Sequence, residues 1–147
     1  MLQPLRIGHV VLKVRDLDRS LSFYRDLLGF KVVSELSNVM IFLAADGQNH
    51  HDLALLRVGQ QAASPVPTAV GLYHVAIQLA DWDAVRRAHA ILTERGLLRG
   101  AVDHGVSRSL YTADPDGNEI ELYCDAPRSE WEGRIDEVMT VKPLVID

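Results

Sequence analysis

Two stretches of this chain repeat one another. Ile7-Gly8-His9-Val10-Val11-Leu12-Lys13-Val14 and Leu72-Tyr73-His74-Val75-Ala76-Ile77-Gln78-Leu79 are short, roughly alternating runs rich in β-branched residues, and both read as strands. His9 and His74 hold the same register, 65 residues apart. The likeness continues downstream. Asp16-Leu17-Asp18 offers N-cap chemistry, Leu17, Leu21, Tyr24 and Leu28 recur at helical spacing, and Gly29 is a stop. Asp81-Trp82-Asp83, then Val85, Ala88 and Leu92, then Gly96 repeat that plan. Three further strands are expected in each half, at about 31–36, 39–45 and 52–58 and at about 97–103, 108–113 and 119–125. Asp46-Gly47-Gln48-Asn49 and Asp114-Pro115-Asp116-Gly117-Asn118 supply turns.

Each half is thus β-α-β-β-β. One helix covers only one face of a four-stranded sheet, so the other face must find a partner. The expected fold class is α+β: two βαβββ modules, 5–58 and 72–125, form one open, mixed-sheet, barrel-like cleft with the helices outside. Residues 59–71, with Gly59, Ser64, Pro65 and Pro67, read as the linker, and 126–147, broken by Pro127 and Gly133, as a tail of a single domain spanning 1–147.

The composition narrows the function. Hydrophobic residues make up 48% and charged residues 24%, which suits a globular core. A net charge of −5 gives no basic stripe for nucleic acid. Cys124 is the only cysteine, so neither an internal disulfide nor a cysteine zinc site can form. A lone thiol, no apolar run of the roughly 20 residues a membrane span requires, and no signal-peptide layout at Met1–Arg6 lead us to expect a cytoplasmic protein.

Side chains pointing inward from both halves would share the cleft, and chemistry is sought there. A single histidine on an apolar strand is commonly a hydrogen-bonded core residue, and repeat ancestry alone can preserve a structural pair. Two at equivalent positions, among only six in the chain, point further. On 119–125, alternation sets Glu119, Glu121 and Tyr123 on one face and Ile120 and Leu122 on the other. A cleft-facing carboxylate is costly without a cation. Glu121 is the candidate, with Glu119, nearer the turn, as the alternative, and a surface position for both as the plain reading. His9, His74 and Glu121 form a donor set for a divalent transition metal with positions left open. That pattern favours non-haem Fe(II), while ligand types alone leave Mn(II), Co(II) and Zn(II) open.

These features resemble the vicinal oxygen chelate superfamily, which includes glyoxalase I, fosfomycin and bleomycin resistance proteins, methylmalonyl-CoA epimerase and extradiol ring-cleaving dioxygenases. The resemblance runs over about 5–125 and is most specific at Gly8–Leu12, His50–Leu55, Tyr73–Ala76 and Asp103–Tyr123. It implies a branch. Glu121's counterpart in the first half falls near Ala54, where glyoxalase I and the fosfomycin enzymes place a ligand and alanine cannot coordinate. The chain therefore looks like the catechol 2,3-dioxygenase-like extradiol enzymes, a likeness that extends to Pro127-Arg128-Ser129-Glu130-Trp131. The resemblance implies a catecholic substrate, O2, and His51 as an acid-base residue, with His50 turned away by alternation. It also implies that His104 and Tyr111 are active-site hydrogen-bonding residues, although the spacing from His104 to Tyr111 is short for several such enzymes. Many relatives carry four modules, so a homodimer or larger assembly is expected here.

Two other functions keep the fold: a glyoxalase-like isomerase, epimerase or lyase using a divalent metal without O2, and a non-catalytic binding or resistance protein. The missing fourth ligand argues against the first, and the retained His9, His74 and Glu121 against the second. No Gly-rich phosphate loop or Gly-x-Ser-x-Gly elbow occurs. Cys124 has no paired base, and His89 lies beside Arg86 and Arg87 as a surface residue of the second helix.

Overall fold

A computed structural model describes residues 1–146. The chain divides into two compact units. The first comprises residues 1–69 together with the turn 114–118, and the second comprises 70–113 and the residues from Glu119 onward.

The first unit contains β1 (Val10–Val14), α1 (Leu17–Tyr24), β2 (Lys31–Leu36), β3 (Met40–Ala44) and β4 (Leu53–Arg57). Its sheet runs β1-β4-β3-β2, with β1 parallel to β4 and the other pairs antiparallel. Leu12 and Val14 alternate inward with Val11 and Lys13 outward, and Ile41, Leu43, Leu53 and Leu55 join them in the core. Asp16 caps α1 by accepting the Arg19 N–H at 2.9 Å, and Leu17, Leu21, Phe23 and Tyr24 are buried from the helix.

The second unit contains β5 (His74–Gln78), α2 (Trp82–Glu94), β6 (Gly100–Asp103), β7 (Ser107–Ala113), β8 (Glu119–Asp125), α3 (Arg128–Trp131), α4 (Ile135–Val138) and β9 (Lys142–Pro143). The strand order is β5-β8-β7-β6-β9, again with one parallel pair, β5 and β8. Asp81 caps α2 through the Ala84 N–H at 2.8 Å. Val85 and Leu92 of α2 and Leu110, Thr112, Ile120, Leu122 and Cys124 of β7 and β8 are buried, and Arg108 stacks over the Trp82 ring at 4.9 Å. That face of the sheet is therefore the helix-covered one. His74, Ala76, Glu119, Glu121, Tyr123 and Tyr111 lie on the other, as the ladder pairs His74 with Glu119 and Ala76 and Tyr111 with Glu121.

The α+β class and the two βαβββ modules hold, and hydrogen bonding resolves them into two open mixed sheets. Several boundaries shift for identifiable reasons. β1 starts at Val10, not Ile7, because its partner β4 starts only at Leu53, and the first cross-strand bond is the Val10 N–H to the Asp52 carbonyl, 3.0 Å. α1 ends at Tyr24, four residues before Leu28, because the Asp26 and Leu28 N–H groups reach back five residues to Leu21 and Phe23. β6 starts at Gly100 instead of Leu97 because the N–H groups of Leu97 and Leu98 close the end of α2 on the Leu92 carbonyl. β9 adds a fifth strand from the tail, pairing antiparallel with β6. Among the described residues, no helix is long and apolar enough to cross a membrane.

The tail is anchored at Gly105. This residue has φ of +75°, and a Cβ there would collide with the Val138 carbonyl oxygen of α4. Next to it, the Thr140 N–H donates to the His104 carbonyl at 3.0 Å. Gly105→Ala combines left-handed strain with a backbone clash. It is expected to cost about 2–3 kcal/mol in urea unfolding and to expose the tail to limited proteolysis. Unchanged proteolysis would mean that the tail is held elsewhere.

Candidate functional site

The second unit brings four of the predicted residues into one connected group. Because β8 lies between β5 and β7, the side chain of Glu121 meets both neighbours. His74 Nε2 is 3.0 Å from Glu121 Oε2, and the Tyr111 hydroxyl is 3.4 Å from Glu121 Oε1. His104, in the tight turn between β6 and β7, sets Nε2 2.9 Å from the Tyr111 hydroxyl. Its Nδ1 lies 3.3 Å from the Thr140 carbonyl. A carbonyl only accepts, so that contact puts a proton on His104 Nδ1, and Nε2 of the neutral ring then accepts from Tyr111. Burial, then the Glu121 charge and hydrogen bond, push the Tyr111 phenol up to about 12, so it stays a protonated donor at neutral pH.

Glu121 is only 8% exposed. A carboxylate so enclosed, facing an imidazole nitrogen, is a site suited to a cation. The donor separation is also suitable. Two donors about 2.1 Å from one metal and at right angles to each other lie ~3.0 Å apart, the separation of His74 Nε2 and Glu121 Oε2. Among the described residues, no group of three or more His, Cys, Asp or Glu side chains converges, so the structure assembles two of the three predicted ligands.

His9 belongs to the first unit, where it is exposed immediately before β1. Its ring lies 4.3 Å from that of His51 and 6.2 Å from that of His50, centroid to centroid. The sequence pattern expected His50 to turn away from His51. The structure corrects this, because both precede β4, outside the alternating strand, and their Nδ1 atoms are 2.6 Å apart. His51 also packs edge-on against Phe42 at 5.1 Å. Partial burial, then the neighbouring His9 and His50 rings, lower its pKa below the ordinary imidazole value, which favours the neutral, proton-accepting form.

Sequence reasoning named Glu119 only as the alternative to Glu121, and did not foresee the parts played by Val106, Trp131 and Ile135. Glu119 Oε1 lies 3.5 Å from His74 Nδ1, and the register of the parallel pair was the signal for it. Trp131 and Ile135 of the tail, together with Val106, help to wall a cavity of about 270 Å³ on the Glu121 face, close to the lower limit for small-molecule sites. Glu121 and Asp125 line this cavity, and among the described residues no lysine or arginine does.

Residues 6–122 match the family model described as the Glyoxalase/Bleomycin resistance protein/Dioxygenase superfamily. A catechol-2,3-dioxygenase of Bacillus subtilis is 42% identical over 88% of this chain and 45% of its own length. The chain thus spans about half of that relative. A lactoylglutathione lyase of Haemophilus influenzae is 32% identical over 80% of this chain and 91% of its own. Among solved structures, a glyoxalase/dioxygenase from Nostoc punctiforme superposes with a TM-score of 0.70 at 26% identity, covering 86% of this chain and 97% of the other.

Proposed function

Because the chain belongs to the glyoxalase/bleomycin resistance protein/dioxygenase superfamily, we propose that it is a metal-dependent extradiol-type dioxygenase that cleaves a catecholic ring with O2. The observation that carries this reading is the linked group His74, Glu121, Tyr111 and His104 around one enclosed carboxylate. The proposed ligands are His74 and Glu121 with His9 as the third, and Fe(II) is the proposed metal. The strand register supports a three-ligand set. Ala54 opposes Val11 in the first sheet as Glu121 opposes Ala76 in the second, so the first half offers a methyl group where the second offers a carboxylate. A glyoxalase-like member would be expected to use that position as a fourth ligand.

Fe(II), when bound, lowers the pKa of a chelated phenol and supplies the redox link between ring and O2. The protein's own groups handle protons and orientation. His51, biased toward its neutral form, is the proposed base for the substrate hydroxyl proton. Tyr111 keeps its one proton, which the backbone-anchored His104 ring accepts at rest and which the hydroxyl turns onto oxyanion charge as it develops. Both atoms of O2 enter the product, a ring-opened semialdehyde acid. A second copy of the chain is proposed as the assembly partner.

Anaerobic loading with Fe(II), followed by catechol and O2, is expected to give the yellow ring-fission product. The acidic cavity wall adds a selectivity. Glu121 and Asp125 repel a carboxylate, while Trp131 and Ile135 accept an apolar substituent. 4-Methylcatechol is therefore expected to exceed 3,4-dihydroxybenzoate in kcat/KM by about tenfold or more, roughly 1.4 kcal/mol. No ring fission from a panel of catechols would overturn the proposed activity.

A further inference from the structure

His74 has two ring nitrogens and two carboxylates to serve. Nε2 faces Glu121 at 3.0 Å, and Nδ1 faces Glu119 at 3.5 Å. The geometry points to Glu119 as a positioning residue. It accepts the Nδ1–H of His74, and so fixes the tautomer that leaves the Nε2 lone pair for the metal. This inference rests on the metal reading above.

Each nitrogen can carry either a proton or a metal, not both, so the two carboxylates cannot play the same part toward this ring. Glu121 is the enclosed one, with its side chain 11% exposed against 30% for Glu119, and it is the carboxylate that lies 3.4 Å from the Tyr111 hydroxyl. The pairing of β5 with β8 sets Glu119 directly across from His74, with Glu121 two residues further along β8 on the same face. The ring is therefore flanked by both acids as a consequence of strand period. Among the described residues, His74 Nδ1 is buried and has no hydrogen-bond partner. With Nε2 protonated toward Glu121, Nδ1 is an acceptor facing an acceptor, which leaves it unpaired. Metal at Nε2 moves the proton to Nδ1, and Glu119 then becomes its acceptor. A ligating histidine whose other N–H is held by a carboxylate is more basic and rotationally fixed. The first unit provides an internal contrast. Asp52 stands where Glu119 would, but its carboxylate is engaged by the Ala45 N–H at 2.8 Å and the Asn49 side-chain amide at 2.6 Å.

The test is Co(II) affinity of the full chain, measured by chelator competition and by the visible absorption of the bound ion, in Glu119→Ala, Glu119→Gln and Glu121→Gln. Glu119→Ala is expected to weaken Co(II) binding by about 10–100-fold and to shift the absorption bands, with the thermal midpoint of the metal-free protein unchanged. Glu119→Gln, whose amide oxygen still accepts the N–H, is expected to recover most of that loss. Co(II) affinity of Glu119→Ala within twofold of the parent, with Glu121→Gln strongly impaired, would overturn the positioning role alone. Loss in Glu119→Gln as severe as in Glu121→Gln would make Glu119 a ligand instead. If Glu121→Gln binds Co(II) as the parent does, the metal reading itself fails.

Discussion

Glu121→Gln is expected to abolish ring cleavage, lowering kcat/KM by about a thousandfold or more, which corresponds to ~4 kcal/mol of lost transition-state stabilisation. The substitution changes charge and little else. Gln keeps the length of the side chain and an oxygen that can accept the Tyr111 hydroxyl, now 3.4 Å away. What disappears is the anionic donor of the proposed ligand set, the group 3.0 Å from His74 Nε2. A divalent ion held by two neutral imidazoles and a neutral amide has lost the charge that offsets its own desolvation. Two measurements separate this outcome from simple damage. The metal content of the purified variant should fall together with activity. The parent should gain thermal stability on addition of Fe(II) or Co(II), by ~2.7 kcal/mol at a hundredfold excess over Kd, while the variant gains none. Retained activity at normal metal content would remove Glu121 from the ligand set and, with it, the proposed mechanism.

The positions of these residues were partly legible in the sequence because a strand has a period of two. Alternation alone grouped Glu119, Glu121 and Tyr123, and the equivalence of His9 and His74 made Ala54 the counterpart of Glu121. The ladders bear out that register, with Val11 opposite Ala54 and Ala76 opposite Glu121. The caps were legible too, since Asp16 and Asp81 each accept the N–H three residues on. Period carries no information where there is no strand. His50 and His51 precede β4, so alternation predicted divergence and the rings meet instead. Single-turn helices such as α3 and α4, and a two-residue strand such as β9, are too short to show a pattern. Yet Thr140, beyond α4, is what orients His104. The contact between His104 and Tyr111 joins the turn after β6 to a residue well inside β7, and no strand period predicts it.

Asp114→Ala is expected to be the most destabilising single truncation in the turn that feeds β8. Asp114 is 4% exposed, and its carboxylate is fully used. Oδ1 accepts the N–H groups of Asp116 and Asn118, each at 2.9 Å, and Oδ2 accepts the Tyr24 hydroxyl at 3.0 Å and the Asn118 side-chain amide at 2.8 Å. Tyr24 is completely buried, and burial together with the Asp114 charge holds its phenol far above the ordinary range, so it is a permanent donor that needs an acceptor. Alanine leaves that hydroxyl and two turn N–H groups unsatisfied in a dry environment. At roughly 1–3 kcal/mol for each stranded group, and with partial relaxation of the turn, the expected cost is about 4–5 kcal/mol. For a domain of this size the midpoint should fall by about 10–20 °C. Two companions test the cause. Tyr24→Phe removes one donor and leaves the turn intact, so it should cost only about 1 kcal/mol. Asp114→Asn keeps one acceptor oxygen for the turn and should fall between the two. A loss below about 1 kcal/mol in Asp114→Ala would show that water reaches this turn and satisfies it. Because Glu119 begins β8 directly after Asn118, the same substitution is also expected to weaken metal binding, through the register of the strand that presents both acids to His74.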